Sequence, residues 1–198
     1  MSKTKNKTNY KYILYLVCII FLLFFLSIGI ILFVKNYTGF FGPKVSEDDV
    51  IYKSDSNTVI IKNILSVDDQ FGKTIMDDNG GSYGYLEFSV ENTQDTKRNY
   101  QIYVTKNVVF QKEINSKYMR FYLTDDSDNA LGVYQNGKLP SYVDLKFIKD
   151  SPNNKLIYSG TLEAKETQDF RLRVWISSNY IITNDEEVFS FKINARAV

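Results

Sequence analysis

"YGYLEFSVEN", Tyr83 to Asn92, decides how most of this chain is read. Leu86, Phe88 and Val90 alternate with Tyr85, Glu87 and Ser89, the period of two expected of a strand with one buried and one wet face. The rhythm returns downstream. Met119, Phe121 and Leu123 alternate with Arg120 and Tyr122; Phe170, Leu172, Val174 and Ile176 alternate with Arg171, Arg173 and Trp175; Phe189, Phe191, Ile193 and Ala195 alternate with Ser190, Lys192 and Asn194. "TVIIKNIL" (Thr58 to Leu65), "NYQIYVTK" (Asn99 to Lys106), "VVFQKE" (Val108 to Glu113), "YVDLKFI" (Tyr142 to Ile148) and "LIYSGTLEA" (Leu156 to Ala164) are further strand candidates.

Clusters of Asp, Asn, Gly, Ser and Pro separate these runs: "DDNGGSYG", "ENTQDTKRN", "DDSDNALG", "QNGKLPS" and "KDSPNNK". Such residues accept positive backbone dihedrals or cap turns with their side chains. No helical period is sustained in this region. Seven to nine short strands at this spacing predict an all-β domain of two antiparallel sheets packed face to face in the general immunoglobulin-like manner, with a barrel as the alternative. The Cys, Trp, Cys framework of antibody-type domains is absent, so the topology is left open.

Upstream the composition changes abruptly. From Ile13 to Val34, only Cys18, Ser27 and Gly29 break a run of large apolar residues 22 long. As a helix it would span roughly 33 Å, against a hydrocarbon core of about 30 Å. A secretory signal has an apolar region of only about 7 to 15 residues followed by small residues at a cleavage site, whereas this block leaves through "FVKNYTGFFG". It reads as one retained transmembrane α-helix. Lys3, Lys5, Lys7 and Lys11 precede it with no acid, while "SEDD" follows from Ser46 to Asp49. That bias keeps the N-terminus in the cytoplasm and sends the C-terminal domain outside the cell. Aromatic residues at both ends, Tyr10, Tyr12 and Tyr15, then Tyr37, Phe40 and Phe41, suit the two interfacial belts. The expected organisation is a basic leader over 1–12, an anchor over 13–34, a linker over 35–57 and the sandwich over 58–198.

Charge and composition narrow the function. Residues 51–198 carry 18 cations against 20 anions, so no global basic field invites nucleic acid. There is no histidine, the commonest general base and metal ligand, and the one cysteine lies inside the anchor. No G-x-S-x-G, S-x-x-K or phosphate-cradling glycine loop occurs. The expectation is therefore a protein that is not an enzyme and needs no cofactor. Two acidic stretches, Asp125 to Asn129 and Asp77 to Gly81, offer oxygens but lack the glycine and distal glutamate of a calcium loop. They read as turns.

The candidate partner-binding face is Arg171, Arg173 and Trp175, which alternation puts together on the non-core side of one strand. Two guanidiniums and an indole suit an anionic or carbohydrate-like surface; the competing reading is a covered sheet face. Tyr85, Tyr103, Tyr118 and Tyr122 fall on outer positions too. Lys62 and Asn194 are residues of the kinds that form a Lys-to-Asn bond between first and last strands, although Asn194 lines up on the wet face.

The order of a basic leader, one anchor and a sandwich whose late strands read "DFRLRVWIS" and "FSFKINARA" resembles small surface-exposed sandwich proteins of low-GC Gram-positive bacteria. Over residues 58–198 the architecture is similar to camelysin-like matrix proteins. Those relatives lose their signal on export, and this chain reads as keeping its own. The expectation is a single-pass plasma-membrane protein presenting an interaction module to an envelope protein or cell-wall partner. The alternative is an exported matrix or adhesin subunit that assembles into fibres after signal removal.

Overall fold

The computed structural model describes residues 4–37, 45–63, 65–107, 112–132, 138–149, 151–182 and 186–198. Two compact units are distinct, Met1–Lys44 and Val45–Val198.

The first contains helix α1, Thr4–Tyr37. Its segment Tyr12–Gly29 has a mean hydropathy of 2.7, and none of it is buried against protein. Apolar side chains surround the axis on all sides, as in a helix whose solvent is lipid. The hydroxyl of Ser27 donates to the Phe24 carbonyl at 2.7 Å, so this polar group is satisfied inside the helix. One N-terminal helix is thus long and apolar enough to cross a membrane.

The second unit is a β-sandwich. Its strands are β1 Val50–Lys53, β2 Thr58–Ile61, β3 Ser66–Val67, β4 Gly84–Asn92, β5 Arg98–Lys106, β6 Met119–Asp125, β7 Ala130–Leu131, β8 Phe147–Ile148, β9 Ser151–Leu162, β10 Thr167–Ser177 and β11 Phe189–Ala197. One sheet runs β1-β4-β10-β6-β7, with β3 joining β10 in parallel; the other runs β2-β11-β5-β9-β8. The topology that the sequence left open has a simple rule. The long strands β4, β5, β6, β9, β10 and β11 alternate between the sheets, so each connection crosses from one layer to the other. Among the described residues only the short β7 and β8 form hairpins, with β6 and β9.

The alternation read from the sequence sets the faces. Phe88, Val90, Phe121, Leu123, Phe170, Leu172, Val174, Phe191 and Ile193 all enter the central core. Phe88 stacks on Phe170 with centroids 5.3 Å apart, and Phe121 meets Phe191 at 5.4 Å, the offset and tilted arrangements that ring quadrupoles favour. The proximal end, where the chain arrives at Val45, is locked by polar groups. Arg98 donates from Nε to Asp49 at 2.9 Å with both side chains nearly buried. Fully buried Asn92 donates to the carbonyls of Thr96, Leu162 and Glu163 and accepts from Gln94 N–H, tying two connections together.

Several local expectations are corrected. The span read as linker contains β1, because Val50 is buried and pairs opposite Asn92. "YVDLKFI" is mostly turn. The Lys155 ammonium, buried beneath it, takes the carbonyls of Tyr142, Val143 and Leu145 at 2.9, 3.2 and 3.1 Å, acceptors that a strand would give to its neighbours. "KDSPNNK" was expected to be a turn, yet β9 starts at Ser151. Pro152 is accommodated at the strand's beginning, where a missing N–H costs little. "VVFQKE" lies largely outside the described residues.

Candidate functional site

The outer face of the first sheet carries all three residues of the expected partner face, and the alternation that put them there is correct. Arg171, Arg173 and Trp175 point away from the core. The face is not open along its length. Residues 66–83 fold back over its distal half through β3, the short helix α2 (Asp69–Gly72) and a 3₁₀ turn at Asn79–Gly81. The consequence is that Trp175 is 0% and Arg173 2% exposed, which corrects the reading of both as partner contacts.

Local chemistry explains the cover. Asp68 caps α2 by accepting from Phe71 N–H at 2.8 Å, and Gly72 then lies flat on the indole. A Cβ there would be 2.1 Å from Trp175 Cε2, so the approach requires glycine. Ile75 and Tyr83 complete a second small core with Trp175, flanked by Val67, Tyr85, Tyr122 and Leu139. The indole N–H donates to Asp69 at 3.3 Å.

Arg173 is the clamp. Its Nε donates to the Ile75 carbonyl at 2.8 Å, Nη1 to the Thr124 hydroxyl at 3.0 Å and Nη2 to Asp128 at 2.9 Å. The rings of Tyr85 and Tyr122 flank it, each centroid 6.0 Å from the guanidinium carbon. The planar fork thus joins cover, sheet and hairpin at one point. Arg171 pairs with Glu87 at 3.2 Å and Asp128 at 3.3 Å.

The two acidic stretches behave as turns. Asp125 accepts from the N–H groups of Ser127 and Asn129 and from the Asn129 amide. Asp77 and Asp78 accept from the N–H groups of Asn79 and Gly80. Among the described residues no group of three or more His, Cys, Asp or Glu is set to hold a metal. Tyr118 packs on the main core, whereas Tyr103 stays half-exposed on the second sheet. The Lys62–Asn194 bond is excluded by register. Ile61 faces Phe189, so Lys62 falls beside Val188, six residues from Asn194; that is about 20 Å along a strand.

Two open clefts lie among the described residues. The proximal one, about 410 Å³, runs along the uncovered half of the same face between Lys53, Asp55, Glu87, Ser89, Asp126 and Arg171. Its cations are occupied: Lys53 pairs with Glu91, and Arg171 with Glu87 and Asp128. The distal one, about 500 Å³, lies between Lys117, Arg120, Lys138 and Asp144, with Tyr118 and Val143 among its walls. Sequence reasoning missed it because Lys138 joins Lys117 and Arg120 only once the chain has folded.

Acid–base behaviour follows from these contacts. Hydrogen bonding from Arg173 holds the Asp128 carboxyl below its ordinary range, as the Asn129 amide does for Asp125 and Ser141 for Asp144. A carboxyl depressed on folding adds stability above its unfolded pKa and loses it as pH falls through the folded one. Burial raises Tyr52, Tyr85 and Tyr180 to about 12, and Tyr100 further. For them the added stability is present below the unfolded value of about 10 and disappears as pH climbs past it. Burial lowers Lys155, opposed by Asp144, so this single group acts the other way on the alkaline side. With no histidine in the chain, stability should be flat between about pH 5 and 8, falling below about pH 4 and above about pH 10. Urea midpoints across pH check this; a midpoint that moves near pH 6.5 contradicts it.

No protein-family model matches the chain, and no curated protein matches it. Among solved structures, the chain is similar to the X-ray structure of GH31 CBM32-2 bound to GalNAc. The identity is 14%, covering 74% of this chain and 95% of that one, with a TM-score of 0.20. A likeness at that score carries no functional argument.

Proposed function

We propose that this chain is a non-catalytic, single-pass protein of the plasma membrane that presents its β-sandwich outside the cell as an interaction module of the envelope. The observation that carries the reading is the helix Thr4–Tyr37, whose apolar stretch finds no cover in the protein and needs lipid instead. Lysines before the apolar stretch and acids after it support a cytoplasmic N-terminus. The sandwich has a closed core of its own, which suits a module that binds another envelope protein or a wall component. The length of the apolar run, and Tyr37 and Phe40 where signal processing would want small residues, support the retained anchor over the cleaved matrix subunit.

Protease applied to intact cells, with N-terminal sequencing of the membrane fraction, tests this. The expected result is a membrane-bound chain that retains its leader and whose sandwich is cut from outside. Mature chains beginning beyond Val34 would select the exported matrix subunit, and a sandwich protected in intact cells would overturn both readings.

A further inference from the structure

The distal cleft differs from its surroundings in charge. From Val45 onward the chain holds 18 Lys and Arg against 23 Asp and Glu, so the unit as a whole repels anions. Within this cleft the balance is reversed. Lys117 and Lys138 are exposed and have no carboxylate partner among the described residues. Arg120 reaches Asp69 only at 4.0 Å and donates Nη1 to the Lys117 carbonyl at 2.8 Å. The one acid, Asp144, is already engaged, accepting from the N–H of Ser141 at 2.9 Å and from its hydroxyl at 2.5 Å.

The walls are also held in place before any ligand arrives. Asn115 caps the 3₁₀ turn Ser116–Tyr118 that carries Lys117, accepting from Lys117 N–H at 3.2 Å. The segment that carries Lys138 is laced to the start of β6 by Phe121 N–H to the Pro140 carbonyl at 3.3 Å and Tyr142 N–H to the Met119 carbonyl at 3.1 Å. The floor turn is tied by Lys155, whose buried ammonium adds a further positive charge behind Val143. Cations mounted on fixed backbone lose little freedom on binding. Arg and Lys together favour phosphate oxygens, and a cleft of about 500 Å³ with Tyr118 and Val143 in its walls has room for more than a bare ion.

We infer that this distal cleft is a binding site for a soluble phosphate-bearing ligand, in which Lys117, Arg120 and Lys138 hold the phosphate and the Tyr118–Val143 side receives its uncharged body. The site stands on the geometry of the sandwich alone and does not depend on where the domain is displayed.

Calorimetric titration of the full chain in neutral maltoside micelles tests it, with glycerol 3-phosphate and inorganic phosphate as probes. Glycerol 3-phosphate should bind saturably, at one site, and more tightly than inorganic phosphate. Lys117→Gln with Lys138→Gln should weaken it at least ~10-fold, about 1.4 kcal/mol, with an unchanged thermal midpoint. Lys192→Gln, on an exposed position of the second sheet, should leave binding as it was. Absence of saturable binding, or an equal loss with Lys192→Gln, overturns the site. Binding seen only when phosphatidylglycerol is doped into the micelle also overturns it, and assigns the cations to a lipid headgroup instead. None of these results bears on protease accessibility in cells, so this inference and the proposed function fail separately.

Discussion

Trp175→Ala should unfold the full chain's sandwich at a markedly lower urea concentration, with a loss of about 3–5 kcal/mol, the range for truncating a fully buried large aromatic. The ring is 0% exposed and sits between sheet and cover, touching the Gly72 backbone on one side. Its removal deletes the centre of the second core and frees Ile75 and Tyr83 from their common partner. Against a total of about 5–15 kcal/mol for a domain, that loss is a large fraction of what holds the molecule together. Far-UV circular dichroism is the readout, because this is the chain's one tryptophan. Trp175→Phe should cost distinctly less. In the unaltered protein the indole emission should be blue-shifted and move red as the cover opens. A loss below about 1 kcal/mol for the alanine variant, the scale of surface changes, would mean that residues 66–83 do not pack as described.

Arg173→Met should cost about 2–4 kcal/mol. Methionine keeps much of the apolar stem between Tyr85 and Tyr122 but leaves the Ile75 carbonyl without this donor, at about 1–3 kcal/mol for a buried unsatisfied group, and the Thr124 hydroxyl with only its 3.4 Å bond to Asp128. The greater penalty of a stranded buried charge does not apply here. Asp128 is 57% exposed and can rehydrate, and Arg171 still reaches it. Arg173→Lys should recover only part, since an ammonium cannot reproduce a planar fork that serves three acceptors. A second readout separates clamp from filler. Asp128, held low chiefly by Arg173, should titrate at higher pH in the variant, measurable by NMR of its carboxyl carbon, so this group's share of the acid loss of stability shrinks. Combined with Trp175→Ala the losses should not add, because both residues hold the same cover.

How much of this was legible beforehand follows a physical boundary. Alternation reports which side of a strand a residue takes, and the core positions of β4, β6, β10 and β11 were read correctly for that reason. It does not report what lies on the far side. Arg173 and Trp175 are outward from the central core and still buried, because a segment that resembled a loop by its Asp, Asn and Gly also carries Val67, Phe71, Ile75 and Tyr83. That recurrence of apolar residues within a turn-rich stretch was the available signal. The 142–148 segment failed differently. Its sequence suits a strand, but the ammonium of a lysine ten residues beyond Leu145 donates to the carbonyls, a competition that alternation of apolar and polar residues does not register. The distal cleft was hidden for the same reason, its charges meeting only after folding.

The alternation of successive long strands between the layers also bears on biosynthesis. β11 lies between β2 and β5, and β10 lies between β4 and β6. The first layer cannot be completed until β10 has been made and the second until β11 has, since the centre of each waits for a strand encoded far downstream. A polypeptide with this wiring leaves the ribosome without a finished subdomain until its last strands are made, and it assembles slowly, as its distant pairings require. The same delay leaves its half-built edges exposed to other chains, so chaperone demand should be set by the last two strands.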